Sequence, residues 1–320
     1  MEQLFQKLNE IIKEYDSFII MGHKDPDLDS LGSGLGLVQI IESFNKEVYI
    51  FLNDKHLENY NTNINQALKK LEKNIKYVNN RNYSKVNGKK LLIITDVHSE
   101  NRLEYPSILS NIDVVVLDHH IKNKDYIKDT KFLYIDSNLS SMSELITYYA
   151  NYQNVILDSV IATILLAGIE IDTNGFNLKT TSKTYESASI LVEMGADSIL
   201  KQELLKESKE EYMKRASFIR NSFMVTDNIA MCIVNTISTS LELSSIAEEL
   251  LTFEDIEATF VIGKLENNVI GVSARSLGSI DISTTINELG GGGHSSNAAA
   301  QIKGLSIREV EQKIKNIIKN

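Results

Sequence analysis

Histidine and aspartate residues follow three of the apolar segments in the first half of this 320-residue chain. SFIIMG precedes His23, with Asp27 and Asp29 shortly after it, LLIIT precedes Asp96, and DVVVL precedes Asp118-His119-His120. Carboxylates that lie close together repel one another unless protons or cations lie between them, and carboxylate with imidazole is a ligand set for divalent metal ions. The pattern therefore predicts a metal centre, if the fold brings these residues together.

The ligands of such a centre would be oxygen and imidazole, without thiolate. That set is typical of Mn, Zn, Fe or Mg, and the histidines disfavour Mg. We therefore expect two divalent ions and favour Mn²⁺. For the first segment alone, a structural interpretation is also open, in which Asp29 or Ser30 caps the following helix. The similar placement of Asp96 after another strand favours the metal centre.

The elements that must position these residues follow from hydrophobic periodicity. Short apolar runs alternate with helical patterns, which predicts an α/β fold with a mostly parallel sheet flanked by helices. The carboxyl ends of parallel strands meet at one rim, where ligands gather. Strands are predicted at 17–22, 47–53, 91–97, 113–120 and 132–136, and helices at about 30–44, 61–73, 142–151 and 158–170.

The pattern divides the chain into three parts. A charged stretch with helical spacing occupies about 185–220, and the strand-like pattern restarts after it. Strands at 229–235, 258–265 and 269–276, with helices near 241–251 and 306–319, predict a smaller α+β domain. We predict a first domain at 1–185, a helical connector at 186–222 and a second domain at 223–320.

The second domain contains a run of four glycines, Gly290, Gly291, Gly292 and Gly293, followed by His294. Glycines expose backbone N–H groups where a Cβ would block a ligand, which suits a phosphate or a nucleobase. A flexible linker is the alternative. Ser273 and Arg275 end a strand-like run, and Arg275 could bind a phosphate bidentately, although it could equally be an exposed surface arginine.

Asp172 ends the apolar helical segment TILLAGIEI, in the sequence Ile171-Asp172-Thr173. An isolated acidic residue at the end of a helix is usually a cap or lies in solvent. The sequence alone therefore leaves open whether Asp172 belongs to the metal centre.

Composition limits the class of partner. Lys and Arg total 33 against 43 Asp and Glu, so the formal net charge is −10, and no global basic field favours long nucleic acid or an anionic membrane. Hydrophobic residues make up 42% and charged residues 24%, as in globular rather than disordered chains. No apolar run is long enough to cross a membrane. We expect a cytoplasmic protein with a small substrate, for which a homodimer is one candidate assembly.

Taken in order, these motifs resemble the DHH/DHHA1 phosphoesterases over nearly the whole chain. Within that family, the segments MGHKDPDLDSLG, TDVHS, IEIDTNGF and ELGGGGHSSNAAAQI look closest to the catalytic region of the GdpP-type cyclic di-AMP phosphodiesterases. GdpP-type proteins usually carry two transmembrane helices, a PAS domain and a degenerate GGDEF domain ahead of this region. None of these is found in this chain, which we expect to be either a free-standing relative or an excised catalytic region, so membrane anchoring and PAS-linked control are not carried over to it.

The resemblance implies a role for each matching residue. It places His23 and Asp27 on one metal ion, Asp29, His120 and Asp172 on the other, and Asp96 between the two. It makes Asp118 and His119 groups that orient the ligands or face the phosphate. The nucleotide would be held by Ser273, Arg275, Gly290, Gly291, Gly292, Gly293 and His294.

The implied reaction is hydrolysis of cyclic di-AMP to linear 5′-pApA, in which water activated by two metal ions attacks phosphorus in line. His119 and a metal-bound water are the candidate proton donors for the leaving 3′ oxygen. The alternative within the same family is a nanoRNase that acts on pApA and short RNA, or a pAp phosphatase. In each case the expected partner is a small nucleotide and not a long nucleic acid.

Overall fold

A computed structural model describes residues 1–52, 60, 62–71 and 75–319 of the chain. These residues form two compact units, Met1–Lys206 and Glu207–Asn320. The boundary falls inside the segment that we predicted as a connector, so 186–222 is divided between the two units and forms no unit of its own. Residues 53, 61 and 72–73, at the ends of a predicted strand and a predicted helix, lie outside the described residues.

The first unit is built on a parallel sheet of six strands in the order β3-β2-β1-β4-β5-β6. Each neighbouring pair in this sheet is parallel, which confirms the predicted fold class. The strands are β1 Ser17–Met21, β2 Glu47–Phe51, β3 Tyr77–Val78, β4 Lys90–Thr95, β5 Asp113–Asp118 and β6 Phe132–Ile135. The two-residue β3 was not predicted, because two residues carry no periodicity.

The central strand β1 lies between β2 and β4, because the chain adds β2 and β3 on one side and then returns to add β4 on the other. The residues of β1 are buried throughout, as are nearly all those of β4 and β5, which is typical of a parallel sheet covered on both faces. The crevice beyond the carboxyl ends of β1 and β4 is the switch point at which open α/β sheets bind ligands. His23 and Asp96 follow these two strands directly.

Seven α-helices are assigned in the described part of the first unit. They are α1 Glu2–Lys13, α2 Leu28–Glu42, α3 Thr62–Leu71, α4 Met142–Tyr152, α5 Ser159–Asp172, α6 Ser182–Glu193 and α7 Ser198–Leu204. Most residues of α2 and α5 are buried. A Cβ on Gly168 of α5 would lie 2.8 Å from the Cα atom of Asp29, closer than packed atoms approach one another. Glycine at 168 therefore lets α5 lie directly against the start of α2.

The second unit contains a mixed sheet in the order β11-β12-β10-β9-β8-β7. Only β8 and β9 pair in parallel among the strands assigned in this unit. The strands are β7 Phe223–Met224, β8 Ile229–Ile237, β9 Ala258–Lys264, β10 Ile270–Ser276, β11 Gly292–Gly293 and β12 Asn297–Ile302, and the helices are α8 Lys209–Arg220, α9 Ser240–Leu250, α10 Ser283–Glu288 and α11 Ile307–Lys319. This is the smaller α+β arrangement that the sequence predicted.

The glycine run of the second unit is ordered chain and not a linker. Gly292 and Gly293 form β11 and pair with Ala299 and Ala298 of β12. A Cβ on Gly291 would lie 2.4 Å from the carbonyl oxygen of Ala299, and one on Gly293 would lie 2.4 Å from the Cα atom of Ala298. At these two positions glycine is therefore required by packing against the neighbouring strand of the same sheet.

No helix within the described ranges is both long and apolar enough to cross a lipid bilayer.

Candidate active site

Asp96 is the residue around which the site is arranged. It follows β4 directly and has a backbone φ of 65°, in the left-handed region that residues other than glycine rarely adopt. Its Oδ2 lies 3.3 Å from Nε2 of His23, and its Oδ1 lies 3.3 Å from Nε2 of His119. The buried carboxylate of Asp96 therefore presents one oxygen atom to each of two histidines.

The first group around Asp96 contains His23 and Asp27. Nδ1 of His23 lies 2.8 Å from the carbonyl oxygen of Lys24, and since a carbonyl only accepts, Nδ1 carries the hydrogen and Nε2 is available as a ligand. Asp27 caps α2, because its Oδ1 accepts a hydrogen bond from the backbone N–H of Ser30. Its other oxygen lies 3.7 Å from Nε2 of His23. Asp27 therefore serves both as the helix cap and as part of this group.

A positive charge is favoured between these three side chains. Burial lowers the pKa of His23, but hydrogen bonds to Asp27 and Asp96 outweigh it and raise the pKa to about 11. In chemical terms, the position beside Nε2 of His23 attracts either a proton or a metal ion.

The second group contains Asp29, His119 and Asp172. Nε2 of His119 lies 3.0 Å from Oδ2 of Asp172 and 3.8 Å from Oδ2 of Asp29. Asp29 is fully buried, and its two oxygens accept hydrogen bonds from the backbone N–H groups of Met142 and Ser143 at the start of α4. Burial raises the pKa of Asp29, and the negative charges of Asp172 and Asp96 raise it further. A cation among these carboxylates would relieve that repulsion.

The residues of the two groups fit a metal centre by their chemistry. Ligand atoms lie within 4.8 Å of one another in His23–Asp27–Asp96, in Asp29–His119–Asp172 and in Asp96–His119–His120. Asp96 Oδ1 and both ring nitrogens of His119 are buried, and although Nε2 of His119 lies close to Asp172 and Asp96, none of these atoms makes a contact with hydrogen-bond geometry among the residues that the structure describes. Buried polar atoms are rarely left in that state. The unsatisfied atoms and the oxygen-plus-imidazole donor set both suit divalent cations.

The structure differs from our prediction for the two neighbouring histidines. We predicted His120 beside Asp29 and Asp172, but it is His119 that lies there. Nδ1 of His120 is hydrogen bonded to Oδ1 of Asp118 at 2.8 Å. Burial raises the pKa of Asp118, but hydrogen bonds from His120 and His98 outweigh it and hold the pKa well below its usual range. Asp118 is therefore an ionised acceptor, and Nδ1 of His120 must carry the hydrogen and is not free to bind a metal ion.

In the second unit, the structure brings Ser273 and Arg275 together on one face of β10. Nη1 of Arg275 donates to Oγ of Ser273 at 3.2 Å, and Nε donates to Oε1 of Glu248 at 2.9 Å. The hydroxyls of Ser273 and Ser244 are 3.2 Å apart. These serines line a cavity of about 260 Å³, whose wall also contains Gly291 and Gln301. His294 is exposed, in the turn between β11 and β12.

Two family models match the chain. The model of the DHH family, N-terminal domain, matches residues 17–169, and the model of the DHHA1 domain matches residues 227–320. The chain belongs to the DHH/DHHA1 family. Both matches agree with the two structural units, so we refer below to the DHH domain and the DHHA1 domain.

Among the curated relatives of this DHH/DHHA1 chain are proteins named for two kinds of activity. The cyclic-di-AMP phosphodiesterases GdpP of Bacillus subtilis and PdeA of Listeria monocytogenes are each 32% identical to it over 97% of this chain, and the matches cover 49% and 48% of those proteins. The chain thus spans about half the length of these relatives. The bifunctional oligoribonuclease and PAP phosphatase NrnA of Mycoplasma genitalium is 27% identical, over 91% of this chain and 90% of that protein.

A solved structure supports the fold. The crystal structure of an exopolyphosphatase-related protein from Bacteroides fragilis superposes with a TM-score of 0.77, covers 100% of this chain and 98% of that chain, and is 18% identical in sequence. At that identity the likeness concerns the fold alone.

Several contacts of the DHH and DHHA1 domains were not found from the sequence. His98 had no role assigned to it, yet it binds Asp118, and its position two residues after Asp96 was the available signal. Glu248 and Ser244 also went unnoticed, because each is an ordinary surface-type residue of a helix that lies far from Arg275 in the sequence. Their contacts become visible only when α9 is packed against β10.

Proposed function

We propose that the chain is a metal-dependent phosphodiesterase that hydrolyses cyclic di-AMP to 5′-pApA with two divalent ions held by the DHH domain. The observation that carries the proposal is the placement of Asp96, with one oxygen beside His23 and the other beside His119. The proposed ligands are His23, Asp27 and Asp96 for one ion, and Asp29, Asp96, His119 and Asp172 for the other. The oxygen and imidazole donors support Mn²⁺ as the metal.

The reaction assigns distinct tasks to the residues around the centre. When bound, two divalent ions lower the pKa of a water molecule and stabilise the negative charge that develops on the phosphate. Asp96 fixes the spacing of the two ligand groups. His120, whose Nδ1–H is held by Asp118, would act as the general acid in its doubly protonated form, in which Nε2 carries the proton that passes to the leaving 3′ oxygen. This assignment takes the place of our earlier candidate, His119, because Nε2 of His119 lies among the carboxylates.

The DHHA1 domain is proposed to bind the nucleotide through Ser273, Arg275, His294 and the backbone of the glycine run. Arg275 is partly committed already, because Glu248 and Ser273 occupy two of its nitrogens. Its Nη2 has no hydrogen bond to any residue in the described ranges and can donate to a phosphate. Gly290 and Gly292 have open space where a Cβ would stand, so a ligand can approach the backbone there.

The name GdpP or PdeA of the 32% identical relatives supports cyclic di-AMP as the substrate. The second candidate function is that of an oligoribonuclease and pAp phosphatase. It is favoured by the match to NrnA, which extends over 90% of that relative, whereas the match to GdpP covers only part of it.

A substrate panel separates these functions. Purified protein with Mn²⁺ is incubated with cyclic di-AMP, cyclic di-GMP, pApA and pAp, with Mg²⁺ and chelator reactions in parallel. We expect cyclic di-AMP to be converted to pApA and the chelator to stop the reaction. Intact cyclic di-AMP together with cleavage of pApA or pAp would refute the proposal in favour of the second candidate.

Arg275→Ala is expected to weaken substrate binding more than turnover. Loss of one charge-assisted phosphate contact should raise KM about tenfold, which corresponds to about 1.4 kcal/mol, with little change in kcat. Steady-state kinetics on the preferred nucleotide measure both constants. Arg308→Ala, which removes an exposed arginine of the same domain, is the matched control. A fall in kcat at unchanged KM for Arg275→Ala would contradict this role.

A further inference from the structure

His98 is a buried histidine whose two ring nitrogens both have partners. Nδ1 is hydrogen bonded to Oδ2 of Asp118, and Nε2 lies 3.2 Å from the backbone nitrogen of Asn123. A backbone N–H can only donate, so Nε2 of His98 is the acceptor and Nδ1 carries the hydrogen. The surroundings of His98 therefore select one neutral tautomer, which donates to Asp118.

Asp118 connects His98 to His120. Its Oδ2 faces His98, while its Oδ1 accepts hydrogen bonds from both the backbone nitrogen of His120, at 3.0 Å, and Nδ1 of the same residue, at 2.8 Å. Asp118 is fully buried. Because both of its oxygens are bound, the carboxylate cannot rotate without breaking a contact, and the ring of His120 is held in one orientation.

The segment around His98 also holds the chain that follows His120. The side-chain amide of Asn123 donates to Oγ of Ser99 at 2.7 Å, and the backbone nitrogen of Ile127 donates to the carbonyl oxygen of His98 at 2.8 Å. Three contacts thus join His98 and Ser99 to residues 123–127. His120 is fixed from one side by Asp118 and from the other by the attachment of this loop.

We propose that His98 is a positioning residue for phosphodiester hydrolysis, which acts through Asp118 to keep a hydrogen on Nδ1 of His120, so that Nε2 is the nitrogen that gains and gives up the transferred proton. The proposal rests on the proposed function for the role of His120 in the reaction. The orientation itself rests only on the contacts of His98, Asp118 and His120. This role is exerted through the hydrogen bonds of Asp118 to His98 and to His120, and it does not require His98 to touch the substrate.

The kinetic test compares two variants of His98. His98→Ala removes the donor to Asp118, and we expect kcat to fall about 10- to 100-fold, as for other residues that orient active-site groups, with KM changed less than about twofold. His98→Asn keeps a side-chain N–H close to the backbone that can donate to Asp118, and we expect it to recover most of kcat. Thr163→Val is the matched control, because it removes buried hydrogen bonds of the same domain at Ser159 and Asp197.

A spectroscopic readout tests the orientation without turnover. Nitrogen-15 spectra of the imidazoles, recorded on the full chain with diamagnetic Mg²⁺ at a pH at which His120 is neutral, report which of its nitrogens carries the hydrogen in that form, which is the form left after Nε2 has given up its proton. We expect the Nδ1–H tautomer in the wild-type protein and in His98→Asn, and a mixture of tautomers in His98→Ala. An unchanged His120 tautomer in His98→Ala, or a His98→Asn variant as slow as His98→Ala, would overturn the proposal. If the wild-type protein cleaves no phosphodiester, the proposed function fails, and the tautomer of His120 still decides the role of His98.

Discussion

Replacement of Asp96 by alanine is expected to abolish hydrolysis while the protein still folds. Among the described residues, Asp96 is the one carboxylate that lies beside both His23 and His119, so its loss removes a ligand from both proposed metal ions at once. Divalent ions at such centres contribute several kcal/mol to the transition state, and a loss of about 4 kcal/mol corresponds to a fall of about a thousandfold in kcat. Steady-state kinetics with Mn²⁺ measure this loss, and circular dichroism shows whether the fold is retained.

The matched control for Asp96→Ala is Asp129→Ala, which removes an exposed carboxylate of the same domain. We expect the control to keep wild-type kcat and metal content. A folded Asp96→Ala variant that retained more than about a tenth of wild-type kcat, a loss of less than 1.4 kcal/mol, would show that Asp96 does not serve both ions.

Alanine variants of the two neighbouring histidines are expected to distinguish a metal ligand from a proton donor. His119→Ala should lower the metal content from two ions per chain to one and abolish activity, because Nε2 of His119 lies among Asp29, Asp96 and Asp172. His120→Ala should retain both ions and lower kcat about 10²- to 10⁴-fold, the usual contribution of a general acid. Metal content is measured by elemental analysis after dialysis, on the same preparations as the kinetics.

The reverse result for the His119→Ala and His120→Ala variants would contradict this assignment. If His120→Ala lost an ion and His119→Ala kept both, the ligand would be His120, as the family resemblance had implied. Each variant serves as the control for the other, since both remove one imidazole from adjacent positions after β5.

The polar residues at the carboxyl edge of the parallel sheet could be predicted from the sequence, because the apolar runs that mark the strands before them are local patterns. The apolar runs that became β1, β4 and β5 are buried strands of a parallel sheet, and the polar residues that follow them lie where such strands end. That prediction needs only the positions of the strands and the rule that the carboxyl ends of parallel strands lie at one edge of the sheet. It brought His23, Asp27, Asp96 and 118–120 into one site without a knowledge of side-chain directions.

The choice between His119 and His120 could not be made from the sequence. The two residues are adjacent and chemically identical, and they differ only in the direction of their side chains beyond β5. That direction is set by Asp118, which binds the ring and the backbone of His120. A pattern of residue types contains no information on such a contact.

The roles of Asp172 and of the glycine run depend on packing between elements that are distant in the sequence. The side chain of Asp172 reaches His119 because α5 lies against the start of α2, where Gly168 leaves no Cβ between the helices. No pattern in the sequence indicates that these two helices cross at that point. In the glycine run, Gly291 and Gly293 are needed for contact with β12, a strand that the sequence did not predict.

The proposed reaction depends on two divalent ions that share Asp96 in the DHH domain. Crystals of the full chain grown with Mn²⁺, with diffraction data collected above and below the manganese absorption edge, test it directly through the anomalous difference map. We expect two peaks, one at Nε2 of His23 and the other at Nε2 of His119, each in contact with a carboxylate oxygen of Asp96. A single peak, or manganese bound away from Asp96, would contradict it.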